Sequence, residues 1–236
     1  MSDLSAFLNN MNWWGLVNLL VSAAAALFCI TFHELSHGFT AYCLGDPTAK
    51  RAGRLTLNPV AHIDPFGLVM MVVAKVGWAK PVPVDMRYFK DPKGGMALTA
   101  LAGPASNLLL AVLALGGDSL LYHFSGLGTA ALVVMCGLSN IAILSVGLGL
   151  FNLIPIPPLD GSKVLFSLLP DQIYLTILRY ERYIMLAVVL LTMSGLLSRP
   201  LSVAITWVLD RLCTLVGCPL GAVFATSDIA RLMELL

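Results

Sequence analysis

The segment Phe32-His33-Glu34-Leu35-Ser36-His37-Gly38 places two imidazoles and a carboxylate within five positions. On a helix, His33 and His37 lie about 40° apart on one face, so both rings can reach one metal ion. Glu34 stands beside them and can take a proton from water that the metal activates. Two neutral nitrogen ligands, with a carboxylate kept off the metal as general base, are what zinc-assisted peptide hydrolysis requires. The chain has only four His and three Glu, so chance is a poor explanation for three of the seven meeting here.

A catalytic zinc usually takes three protein ligands and leaves one position open. The third must come from elsewhere, and Asp46, His62, Asp64 and Asp160 all qualify by type. Asp160 follows Asn152-Leu153-Ile154-Pro155-Ile156-Pro157-Pro158-Leu159, where three prolines break the helix and free backbone groups. Membranes tolerate such a break only beside protein or a water-filled cavity. A solvated turn would give the same pattern, and the residues alone leave the four candidates open. His62 and Asp64 could stand near the metal or simply cap a turn between Pro59 and Pro65. Asn107 could hold a peptide carbonyl or its oxyanion, or tie two helices together.

These groups must be positioned by 236 residues of which 58% are hydrophobic and 11% charged, with a mean hydropathy of +0.86. A soluble domain carries about 25% charged residues, so lipid is the expected solvent. A net charge of +1 without a long basic run argues against a nucleic-acid partner. The five cysteines lack C-x-x-C spacing and read as small buried hydrophobes.

A crossing needs roughly 20 mostly apolar residues. Full spans are expected over 13–42, 95–124, 127–153 and 173–197, the first carrying the His-Glu pair of motifs. Residues 66–76 are too few to cross and read as a re-entrant or interfacial segment. Residues 201–216 are interrupted by Asp210 and Arg211, and form a fifth span or a helix lying against the bundle. Short strands are expected around Arg54 to Leu57, where polar and apolar residues alternate. The fold class is therefore an all-α polytopic membrane protein. It is a bundle of about four to six transmembrane helices with a short cytoplasmic-side strand or re-entrant excursion. One domain over 1–236 is expected, with a core at about 13–197 and one or more apolar helices after it. Lys and Arg concentrate at 50–93 and 163–182 and are missing from 116–126, which places the two former regions in the cytoplasm and the N-terminus outside.

Several further motifs follow in one order: Asn58-Pro59 with His62-Ile63-Asp64-Pro65, Gly77-Trp78-Ala79-Lys80-Pro81-Val82-Pro83-Val84, Gly103-Pro104-Ala105-Ser106-Asn107 and the 152–161 segment. With the His33–His37 helix, this combination resembles the site-2 protease family of intramembrane zinc metalloproteases, in its short bacterial form without a PDZ or CBS domain. The resemblance covers about 32–164. It implies one zinc per chain held by His33, His37 and Asp160, with Glu34 as base and Asn107 and Asn152 lining the site. It also implies transmembrane proteins as substrates and a bacterial inner-membrane location. The short 66–76 segment departs from relatives that have a fuller hydrophobic stretch there. Two rivals remain at this level: a metal-binding membrane protein without turnover, and a zinc hydrolase acting on lipid or a prenylated peptide. An unligated Glu34 speaks against the first.

Overall fold

The computed structural model describes residues 13–67, 79–124 and 128–228. Its elements are α1 (Trp13–Cys43), α2 (Thr48–Arg51), α3 (Pro92–Phe124), α4 (Thr129–Asn152), α5 (Asp160–Ser167), α6 (Asp171–Met193), α7 (Ser198–Val216) and α8 (Leu220–Thr226). Two short 3-10 turns, Pro59–His62 and Met86–Tyr88, interrupt the excursion between α2 and α3.

Helices α1, α3 and α4 form the centre and pack on one another pairwise. The buried face of α3 carries Gly103, Asn107, Leu110, Ala111, Ala114, Leu115 and Asp118, at the spacing of one helical stripe. That of α4 carries Cys136, Ser139, Ala142, Ser145, Val146 and Gly149. Small residues let helix backbones approach closely where lipid offers no hydrophobic drive to association. Polar side chains on these faces find partners across the helices. Cys29 and Ser145 lie 3.1 Å apart, Ser22 donates to Asn140 at 3.0 Å, and the Ser139 and Thr226 hydroxyls meet at 2.7 Å. Leu209, Cys213, Cys218 and Val223 complete the core from α7, α8 and the turn between them.

Among the described residues, three helices are long and apolar enough to cross a membrane: α1, α3 and α4. The expected span at 173–197 takes a different form. Arg182–Met193 and Ser198–Val216 meet at 80°, and the pair counts as a fourth crossing only when taken together. Arg179, Glu181 and Arg182 shorten the apolar part of α6, and the turn at 194–197 redirects the chain into α7. Of the expected re-entrant segment, residues 68–76 lie outside the described residues.

The expected strand is absent. Residues 55–57 form a bend, and the nearest sheet-like contact is one antiparallel bridge between Ile63 and Ala79. The neighbouring segment contains Pro81 and Pro83, which have no N–H to build a ladder. Arg54 instead turns inward, and its Nη2 donates to Lys80 O at 2.5 Å. Residues 54–57 therefore offer no strand edge. Four of the five cysteines are buried as expected, and Cys43 is exposed.

Overpacking the α3–α4 contact tests this arrangement. Ala111→Leu, at a fully buried position, is expected to lower stability by about 1–3 kcal/mol in thermal unfolding of detergent-solubilised protein. Leu113→Ala, at a 62% exposed position, is expected to change it by about 0.5 kcal/mol or less.

Candidate metal centre

Antiparallel packing brings the C-terminal part of α1 beside the N-terminal part of α3. His33 lies ten residues before the end of α1, about 15 Å along the helix axis. His33 and His37 occupy one face, as their spacing requires, with ring centroids 4.6 Å apart. Asp160 arrives from the opposite side. After α4 ends at Asn152, the proline-containing stretch leads to α5, whose first residue is Asp160.

The three side chains are buried and their donor atoms converge. His33 Nε2 lies 3.1 Å and His37 Nε2 3.0 Å from Asp160 Oδ2, and the two Nε2 atoms are 3.0 Å apart. A tetrahedral site with bonds of about 2.0–2.2 Å has edges of roughly 3.3–3.6 Å, so small outward shifts make this triangle a metal face. Among the described residues, this is the one group of His, Cys, Asp or Glu able to hold a metal ion.

Outer partners orient each candidate ligand. His37 Nδ1 lies 2.7 Å from Thr99 O. A carbonyl only accepts, so this nitrogen carries the proton, and in the neutral ring Nε2 presents a lone pair to the centre. Asn107 Nδ2 lies 3.2 Å from His33 Nδ1 while its buried Oδ1 has no partner. In that setting the amide donates, and His33 carries its proton on Nε2, toward Asp160. With a metal ion held by Nε2, His33 would carry its N–H on Nδ1 instead. The orphaned Asn107 carbonyl can then accept it by turning the amide over. The donor set and its outer shell therefore fit a metal ion.

Asp160 uses its second oxygen to accept from Lys163 Nζ at 3.0 Å. Burial acts to raise the Asp160 carboxyl. Its hydrogen bonds with His33 and His37, and the nearby Lys163 charge, outweigh that and hold it well below the usual carboxylate range. Gly103 gives the rings room: a Cβ there would lie 2.5 Å from His37 Nε2 and 2.6 Å from His33 Cε1. Glu34 sits beside the triad without joining it, and its Oε2 accepts from Val82 N at 3.0 Å.

The other acidic and His candidates do not join the three donors. His62 is buried in the excursion and its Nε2 donates to Thr56 O at 2.9 Å. Asp64 caps the backbone N–H groups of Phe66 and Gly67. Asp46 accepts from the Asp85 N–H and from Thr48. Asn152 returns its amide to Leu148 O within α4. Sequence reasoning missed Thr99, Val82, Gly103 and Lys163 as site-shaping residues. Thr99 and Val82 act through backbone atoms, which leave no trace in residue type. Lys163 was legible as a cation three positions after an acid on a helix.

A profile of peptidase family M50 matches residues 121–195, a stretch that includes Asp160. YwhC of Bacillus subtilis, named as a candidate zinc metalloprotease, is 40% identical over 167 residues, covering 65% of this chain and 71% of its own length. The chain belongs to peptidase family M50. Rip2 of Mycolicibacterium smegmatis, also named as a candidate zinc metalloprotease, is 31% identical over 191 residues, covering 79% of this chain and 72% of its own length. Rip2 of Mycobacterium tuberculosis is 34% identical over 146 residues, covering 60% and 54%. No solved structure matches the chain. Family membership and the apolar helices together make this M50 peptidase an integral membrane protein.

Gly103→Ala provides a test of the cradle. The added methyl group must displace one ring, and zinc per chain in purified protein is expected to fall at limiting metal. Metal analysis that finds wild-type loading at every zinc concentration would remove the packing argument.

Proposed function

We propose that this M50 zinc metalloprotease cleaves peptide bonds within or beside transmembrane segments of other membrane proteins. One zinc per chain is assigned to His33, His37 and Asp160. The observation that carries this reading is the convergence of three buried donor atoms, two on the membrane-length α1 and one at the start of α5, with Glu34 adjacent.

Zinc bound there supplies Lewis acidity, which polarises a scissile carbonyl and makes water acidic enough to be deprotonated near neutral pH. Glu34 takes the water's proton and passes it to the leaving amine. Val82 N–H occupies Oε2, leaving Oε1 for the transfer. Asn107 holds His33 in the ligating orientation, and its N–H2 group, once the carbonyl faces His33, is available to a peptide carbonyl. The substrate must unwind locally, because intrahelical hydrogen bonds otherwise occupy its carbonyls.

We place the site on the cytoplasmic side of the bacterial cell membrane. Lys50, Arg51, Lys80, Arg87, Lys90, Lys93 and Lys163 lie on the chain around the end of the bundle that holds the triad, and the α3–α4 connection carries no Lys or Arg. Labelling with an impermeant thiol reagent in a cysteine-free background tests this. Phe124→Cys is expected to react in intact cells and Lys90→Cys only after permeabilisation, and the opposite result would invert the topology.

The catalytic assignment is tested with a synthetic transmembrane peptide in proteoliposomes. Glu34→Ala is expected to abolish cleavage while zinc stays near one per chain, because the base is not a ligand. Cleavage at the wild-type rate would end the assignment of Glu34.

A further inference from the structure

Arg54 is a buried cation at 7% exposure, with no carboxylate partner among the described residues. Its Nη2 donates to Lys80 O at 2.5 Å and reaches Pro81 O at 3.4 Å, while its buried Nε has no partner. Burying a guanidinium against carbonyls alone is costly, so the feature calls for a physical role. The two carbonyls belong to a short strap, Ala79 to Asp85, that runs across α1. Lys80 N donates to His62 O at 2.9 Å and Asp85 N donates to Asp46 Oδ2 at 2.7 Å, which fastens the strap near both ends. Its middle lies against the catalytic helix. A Cβ on Gly38 would come within 3.0 Å of Val82 Cγ1, so glycine is what allows this approach.

Between Pro81 and Pro83, Val82 owns the sole backbone N–H of the tripeptide, and that N–H is bonded to Glu34 Oε2. The residue that grips the strap is thus one residue away, through Pro81, from the donor that orients the carboxylate. We propose that Arg54 is a positioning residue for Glu34: its grip on the Lys80 and Pro81 carbonyls aims the Val82 N–H at one carboxylate oxygen and leaves the other for proton transfer. This rests on Glu34 being the base, as assigned above. A carboxylate that loses this donor samples other rotamers and stands less often where the proton must be taken.

The test uses the full chain in proteoliposomes, with steady-state cleavage of the transmembrane peptide and zinc analysis of each variant. Arg54→Met is expected to lower kcat about ten- to a hundredfold, the range of one hydrogen bond to a charged group. KM should change by less than about twofold, and zinc should stay at the wild-type level. Arg54→Lys, which can still meet one carbonyl, is expected to recover part of the loss. Loss of zinc in Arg54→Met, or a change in KM alone, would overturn the proposal by placing the effect on the fold or on substrate binding. A second pair avoids the buried arginine. Val82→Pro deletes the N–H, whereas Val82→Ala keeps it and trims the side chain, so kcat for Val82→Pro is expected to be about tenfold below that for Val82→Ala. Equal kcat in the two would also overturn it. Glu34→Gln run alongside separates the levels. Activity there at the wild-type rate refutes the assignment of the base. An inactive Glu34→Gln beside fully active Arg54→Met and Val82→Pro refutes the Arg54 proposal alone.

Discussion

Two imidazole nitrogens and a carboxylate oxygen, all within 3.1 Å of one another inside a helical bundle, repel unless a donated hydrogen or a cation stands among them. A proton on His33 meets part of that need, and a divalent cation meets it fully while also neutralising the carboxylate. The rest of the molecule follows from holding these atoms together. α1 supplies two donors, the break after α4 turns the third inward, and α3 supplies the wall. On that wall Gly103 makes space, Thr99 fixes one ring and Asn107 the other. Polar groups at this depth are expensive unless paired, and each of the three candidate ligands has such an outer partner.

The packing of the spans serves the same end. With lipid outside, apolar contact gives helices little reason to associate, and close approach through small residues takes over. Ala111, Ala114 and Ala142 are almost fully buried at the centre, which keeps α3 and α4 in a fixed relation along their lengths. The hydroxyls of Thr31, just before the motif, and Ser36, within it, return to carbonyls four residues earlier in α1, so neither is left unpaired in the helix that carries the site.

How far the site could be read from the sequence depended on which atoms do the work. His33, Glu34 and His37 were legible because helical period and residue type together state their geometry. Asp160 was legible as a candidate through its prolines, yet choosing it over Asp46, His62 and Asp64 required knowing where the chain returns. Each of those three proves to be held by backbone groups of the excursion. The Arg54–Leu57 strand failed because alternation was read without its neighbour. A segment with Pro81 and Pro83 cannot complete a ladder, and the arginine serves it better as a clamp. The span at 173–197 was misjudged in shape because its charged first half and the turn at 194–197 redirect the helix, which composition averaged over a window conceals.

Metal analysis of two single variants bears most directly on the central claim. Wild type, Asp160→Ala and His62→Ala are purified under the same metal-replete conditions and their zinc is counted per chain. Asp160→Ala removes one of three converging donors and is expected to lose its zinc. His62→Ala removes a ring bonded to the Thr56 carbonyl and is expected to keep most of it. An emptied His62→Ala beside a fully loaded Asp160→Ala would show that the metal is held elsewhere, and the triad at the centre of this account would be wrong.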